Sequence, residues 1–130
     1  MQLAERGEHV IASGRRAERL AELETQDKIS GLQLDLSSPE NITSACANMP
    51  SLSGVILNAG ITFVDNFSAG DFETDSAIIQ TNVTANVQLI RGLLPNLKQS
   101  QGRILIIASL GGMTPLPYHC LLYTSPSPRD

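Results

Sequence analysis

The chain has 130 residues, of which 42% are hydrophobic and 17% charged, and its formal net charge is −4. That length accommodates one domain, and the balance is that of a chain that folds rather than one that stays disordered. A net acidic chain lacks the basic face that phosphate neutralisation requires, so nucleic acid is not an expected partner. Cys46 and Cys120 do not make a disulfide framework. No apolar run approaches the ~20 residues of a membrane span, and Gln2, Glu5, Arg6 and Glu8 interrupt any apolar core of a signal peptide. The expectation is a cytoplasmic chain with no membrane partner.

Met1–Arg6 reads as the last turns of a helix, with Gly7 where a helix-ending glycine belongs. His9–Ser13 is a short strand, and Arg16–Thr25 carries helical periodicity through Leu20 and Leu23. Leu32–Leu36 is the next strand, and Ser-Ser-Pro-Glu after it opens a helix that runs to about Asn48. Gly54–Leu57 is a third strand. A long helix is expected from about Asp75 to Gln99, with an apolar stripe through Ile79, Val83, Val87, Ile90, Leu94 and Leu97. Asn82 and Asn86 lie beside that stripe, where each amide must serve a site or satisfy neighbouring backbone. Pro95 removes one helical N–H, so a mild kink is expected there. Arg103–Ser109 is the fourth strand. Strand and helix alternate throughout, which implies an α/β fold with a parallel sheet.

The chemistry-bearing residues fall at the strand ends. Gly14, Arg15 and Arg16 follow the first strand and open a helix. In nucleotide-binding α/β folds an acidic residue near this point accepts from a ribose 2′-OH; here a guanidinium fork suited to a phosphate stands instead. Arg19 adds to the cluster. Asp35 ends the second strand, either as a ligand contact or as a loop-capping carboxylate. Asn58, Ala59 and Gly60 follow the third, and small residues there let backbone approach a ligand closely. Ser109 ends the fourth. A metal is not expected.

Taken in order, VIASGRRAERL, LQLDLS, VILNAG, TNVTAN and GRILIIAS resemble the short-chain dehydrogenase/reductase family, over essentially Gly7 to His119. The resemblance is to NADP-preferring members that carry Gly-Arg-Arg after the second strand of a Rossmann-like doubly wound sheet. It implies that Arg15, with Arg16, contacts the 2′-phosphate of NADP(H), that Asp35 contacts the adenine, and that Asn58, Ala59 and Gly60 support the cofactor site. Leu57 stands where many members have a first Asn. The resemblance further implies that Asn82 helps to position a catalytic Lys through water and that Ser109 hydrogen-bonds the substrate oxygen. The implied reaction is hydride transfer between nicotinamide and a small carbonyl or alcohol, with a Tyr as general acid/base. A homodimer or homotetramer is the implied assembly.

The chain departs from the pattern at both ends. The Gly-rich phosphate loop that should precede the first helix is missing, and Gly111-Gly112 sits at the wrong end to replace it. The Tyr-x-x-x-Lys pair is missing too, since Lys occurs only at positions 28 and 98. Family spacing places that Tyr where Leu122 stands; Tyr123 is one position off, with Ser127 in the place of the Lys, and is read as a decoy. Cys120–Asp130 (CLLYTSPSPRD) resembles a translated sequencing-library adaptor. The expected organisation is therefore a partial dinucleotide-binding domain over 1–119 and a disordered, artefactual tail over 120–130. The parent would be the oxidoreductase, and this fragment inactive. A non-catalytic NADP-binding sensor or scaffold of the same fold is the alternative. The absent first strand would leave two strand pairs without a central partner.

Overall fold

Two pairs of parallel strands, each linked by helical crossovers, make up the computed structural model, which describes residues 2–63 and 70–109. The first pair is β1 (Val10–Gly14) with β2 (Ile29–Gln33), joined through helix α2 (Ala17–Glu24). The second is β3 (Gly54–Leu57) with β4 (Arg103–Ile106), in the register Gly54 to Arg103 through Leu57 to Ile106. Helix α3 (Pro39–Ala47) leads from the first pair to the second. Within the second pair the crossover is α4 (Phe72–Ile79), a π-helical turn (Gln80–Thr84) and α5 (Ala85–Ser100). Gly111, Gly112, Tyr123 and the whole Cys120–Asp130 segment lie outside the described residues.

The helix ends obey local chemistry. The short α1 (Gln2–Glu5) stops in a turn where Gly7 N donates to the Ala4 carbonyl at 2.9 Å and Glu8 N to that of Leu3 at 3.2 Å. Gly7 takes a φ of 94° there, which a Cβ would oppose. Ser38 caps α3, its Oγ accepting from Asn41 N, with Pro39 next in the first turn, where its missing N–H loses nothing. Asp71 caps α4 through Thr74 N at 2.8 Å, so this helix opens three residues before the position that periodicity indicates. At the far end Gln101 is left-handed (φ 55°) and Gly102 N returns to the Leu97 carbonyl at 2.7 Å. A Cβ on Gly102 would meet Leu97 Cδ2 at 2.7 Å and the Leu52 carbonyl at 2.9 Å, so that turn admits only glycine.

The core joins the two strand pairs. Leu34 from the end of β2, Ile42 of α3, Leu57 of β3 and Ala85 and Leu89 of α5 form one buried cluster, with Ile42 and Ala85 fully enclosed. Helices α3 and α5 cross closely: a Cβ on Gly92 would lie 2.6 Å from Cys46 Sγ. Cys46 is thus a packing thiol, and desolvation raises its pKa.

Two sequence-based expectations change. Strand β2 lies at Ile29–Gln33 rather than Leu32–Leu36, because Val10 pairs with Ile29 and the ladder ends where Leu34 N reaches the Gly14 carbonyl. Asp35 therefore sits in the turn beyond the strand. The long helix buries Ile78, Ala85, Leu89, Leu93 and Leu97, while Ile79, Val83, Val87 and Leu94 of the expected stripe are exposed. Its apolar residues occupy two sides, so periodicity alone cannot choose between them; the small Ala85, which lets the helix approach α3 and β3, decides. The π-helical turn, in which Ala85 N donates to the Gln80 carbonyl, also shifts the phase between α4 and α5.

Parallel pairing alternates direction along each strand. Val10 and Gly14 of β1 bond to β2, so Ile11 and Ser13 face an edge that has no strand partner among the described residues. Strand β3 likewise bonds only to β4, whose residues are all exposed. Ile56 and its partner Leu105 are 53% and 52% exposed. Such edges and faces do not lock into one packed state. The isolated 130-residue chain is expected to bind an environment-sensitive hydrophobic dye and to melt without a cooperative transition. A sharp thermal transition with dispersed amide resonances would contradict this.

Candidate functional site

The residues singled out from the sequence lie at or just beyond the carboxyl ends of the four strands. Gly14 is the last residue of β1, and Arg15 and Arg16 follow, with Arg16 at the N-cap position of α2 but making no side-chain cap. Arg15 and Arg16 are exposed and make no salt bridge among the described residues, whereas Arg19 is held by Glu22 at 3.0 Å. Gln33 Nε2 donates to the Arg15 carbonyl at 3.3 Å, so the neighbouring strand pins this turn. A Cβ on Gly14 would meet nothing nearer than Leu20 Cδ2 at 4.0 Å. Nothing within the chain demands glycine here; what it supplies is open space before the two arginines.

Asp35 stands in the adjacent turn. Its Oδ1 accepts from Ser37 N at 2.9 Å and Ser37 Oγ at 2.7 Å. These bonds, first the backbone and then the hydroxyl, hold its carboxyl below the usual range against a small desolvation effect, with Arg15 contributing a favourable charge. The loop-capping reading of Asp35 describes these bonds. One oxygen organises the loop, and the carboxylate is electrostatically coupled to Arg15 across the strand ends.

The loop after β3 is held by Asn82 from the π-helical turn. Asn82 Oδ1 accepts from Ile61 N at 2.9 Å and its Nδ2 donates to the Ile61 carbonyl at 2.8 Å, a two-bond clamp on one peptide segment. Asn82 Oδ1 also lies 3.5 Å from where a Gly60 Cβ would be. Asn58, Ala59 and Gly60 are exposed, which leaves their backbone open to a ligand while Ile61 is anchored. Asn86 Nδ2 donates to the Asn82 carbonyl at 2.7 Å. Both amides flanking the helix stripe thus satisfy backbone, one of them at the site. Ser109 is exposed, three residues past the end of β4.

The structure brings Asn82 to Gly60 and Ile61, and places Arg15 where its charge makes a minor favourable contribution at Asp35. Gln33, Ser37 and Gln80 were not singled out from the sequence: Gln80 Nε2 donates to the Leu36 carbonyl at 3.2 Å. The Gln33 and Gln80 amides act on backbone of distant segments, which residue type and spacing do not reveal, while the Ser37 hydroxyl acts on the Asp35 carboxylate two residues away. Among the described residues no group of three potential metal ligands occurs, and no helix is long and apolar enough to cross a membrane.

Known proteins are similar to this chain in sequence and in fold. A model of the family described as short chain dehydrogenase matches residues 1–125. The chain is 32% identical over 122 residues to an NADP-dependent 3-hydroxy acid dehydrogenase of Escherichia coli, covering 85% of this chain and 48% of that protein. It is 29% identical over 91 residues to estradiol 17-beta-dehydrogenase 1 of Rattus norvegicus, covering 68% of this chain and 26% of the relative. Among solved structures, serine dehydrogenase from Escherichia coli superposes with a TM-score of 0.83 at 29% identity, over 93% of this chain and 60% of that one. A closed serine dehydrogenase complexed with NADP+ gives a TM-score of 0.82 at 29% identity, over 90% and 50%. The chain thus spans about half the length, or less, of the curated relatives it matches. The paired parallel strands, the Gly-Arg-Arg turn and the matched family model together make this chain a member of the short chain dehydrogenase family, with its Rossmann-like α/β fold.

Proposed function

We propose that the chain is the cofactor-binding part of a longer NADP-dependent oxidoreductase. The enzyme would move a hydride between nicotinamide and the carbon of a small carbonyl or alcohol substrate. The observation that carries the reading is the turn after β1: two exposed arginines with no salt bridge among the described residues, no carboxylate in the turn, and open space in front of Gly14. A 2′-phosphate suits that turn, because a guanidinium pairs with it bidentately where a carboxylate would repel it. Two similar proteins support the choice, one an NADP-dependent dehydrogenase and the other complexed with NADP+.

In this reading Arg15 and Arg16 receive the 2′-phosphate, and Asp35 offers its second oxygen to the adenine amino group. Gly14 and the Asn58–Ala59–Gly60 backbone let the dinucleotide lie close. The bound cofactor supplies the hydride. Asn82 fixes the Ile61 segment, and the Ser109 hydroxyl holds the substrate oxygen. The Tyr and Lys of the family reaction belong to the portion of the relatives that this chain does not match. Residues 1–119 are the dinucleotide-binding unit, and Cys120–Asp130 is foreign to it. The exposed apolar row Ile79, Val83, Val87 and Leu94 would be covered by a second copy in a homodimer or homotetramer. The enzyme would work in the cytoplasm.

In the full-length protein, Arg15→Ala is expected to raise the Kd for NADPH by about 10- to 100-fold, the range of one charge-assisted hydrogen-bond set, and to leave that for NADH nearly unchanged. Fluorescence titration of both cofactors measures this, and equal losses for the two would refute the 2′-phosphate assignment. Ser109→Ala is expected to lower kcat by at least about 100-fold, in line with removal of one transition-state donor, while NADPH still binds. A protein that binds NADPH but turns over no carbonyl or alcohol before the substitution would be a sensor or scaffold instead.

A further inference from the structure

The π-helical turn sends two amides to two different loops. Gln80 reaches the Leu36 carbonyl, beyond β2, at 3.2 Å, and Asn82 grips Ile61, beyond β3, with bonds of 2.9 and 2.8 Å. Helical residues two apart do not share a face, so neighbouring positions in this turn can serve loops on different sides. All three contacts are partly buried, which shields them from competition with water. Leu36 directly follows Asp35, whose carboxylate is coupled to Arg15; Ile61 directly follows Gly60. A π-helical turn inside a helix is uncommon and is found mostly where a site requires it. Here the widened turn is held from within by Asn86 Nδ2 on the Asn82 carbonyl.

Resting on the cofactor reading above, we propose that this turn is a strut between the adenine-side loop and the loop after β3, and that Gln80 is a positioning residue that links the two. Ordering of the Asp35–Leu36 loop by the adenine half of the cofactor fixes the Gln80 acceptor. A fixed Gln80 holds the turn, and the turn holds the Asn82 clamp on Ile61. The two halves of the dinucleotide are then received by loops kept at one spacing, with no contact between Gln80 and the cofactor itself.

The test uses adenosine 2′,5′-bisphosphate, which carries the 2′-phosphorylated adenine end and no nicotinamide. In the full-length protein its binding is expected to slow hydrogen exchange at the Ile61 amide by about three- to ten-fold, the range of one hydrogen bond. Gln80→Met keeps the length and helix propensity and removes the donor; Gln80→Glu keeps the shape and, ionised, also cannot donate to Leu36. Both are expected to lose the added protection at Ile61 when saturated with the bisphosphate. A purely local structural role for Gln80 would leave that protection in place. Full protection in either variant overturns the strut, as does its absence in the wild type despite binding. Failure of the wild type to bind the bisphosphate overturns the cofactor reading, and the strut with it.

Discussion

The packing of α5 over both strand pairs is the constraint on which the rest of this structure depends. No strand ladder connects β1–β2 to β3–β4 among the described residues, so the connection is made by side chains. Ala85 and Leu89 meet Leu34, Ile42 and Leu57 in one cluster, which spans both pairs through a single helix face. The polar residues of the same helical segment continue the work. Asn96 Oδ1 accepts from Leu52 N at 2.9 Å while its Nδ2 donates to the Pro50 carbonyl at 2.6 Å, and Ser100 Oγ donates to the Leu52 carbonyl at 2.5 Å. Gln88 Nε2 reaches back to the Pro39 carbonyl at the start of α3 at 2.8 Å. The Asn96 and Ser100 bonds satisfy loop carbonyls and an amide at Pro50 and Leu52 that no strand ladder serves.

The free edges of the two pairs are treated differently. On β2, Lys28 and Leu34 face β1, so Gly31 N points outward, where Glu24 Oε1 of α2 accepts from it at 2.8 Å. A charged side chain thus blunts the outer edge, one of the ways proteins prevent unwanted strand pairing. The edges of β1 and β3 away from their partners carry no such plug among the described residues, and the β3–β4 face presents Ile56 and Leu105 to solvent.

The candidate site follows from the same geometry. Parallel strands deliver their following loops to one side, and ligands of open α/β sheets bind beyond those carboxyl ends. Arg15, Asp35, Gly60 and Ser109 need no special folding to be near one another's loops; they need only the strands. Local chemistry then refines them: Gln33 holds the Arg15 backbone, Ser37 holds Asp35, and Asn82 holds Ile61. The Arg15 cation at the first turn adds a minor favourable charge for the Asp35 carboxylate at the second, behind the Ser37 hydrogen bonds.

By itself the sequence determined the alternation of strand and helix, the span of β3, the Ser38–Pro39 helix start and the family motifs. These rest on local rules: turn residues, caps and short apolar runs act within a few positions of one another. Only the tertiary structure decided which side of the long helix is buried, because that helix is apolar on two sides and Ala85 counts through its fit rather than its hydrophobicity. The register of β2 was settled by pairing with β1, which drew the strand three residues back from LQLDL and released Asp35 into a turn. The π-helical turn left no mark in the periodicity, since one added residue looks the same as a change of face. Gln80 and Asn82 became site residues through backbone partners 44 and 21 positions away, a relation that exists only after the chain has folded.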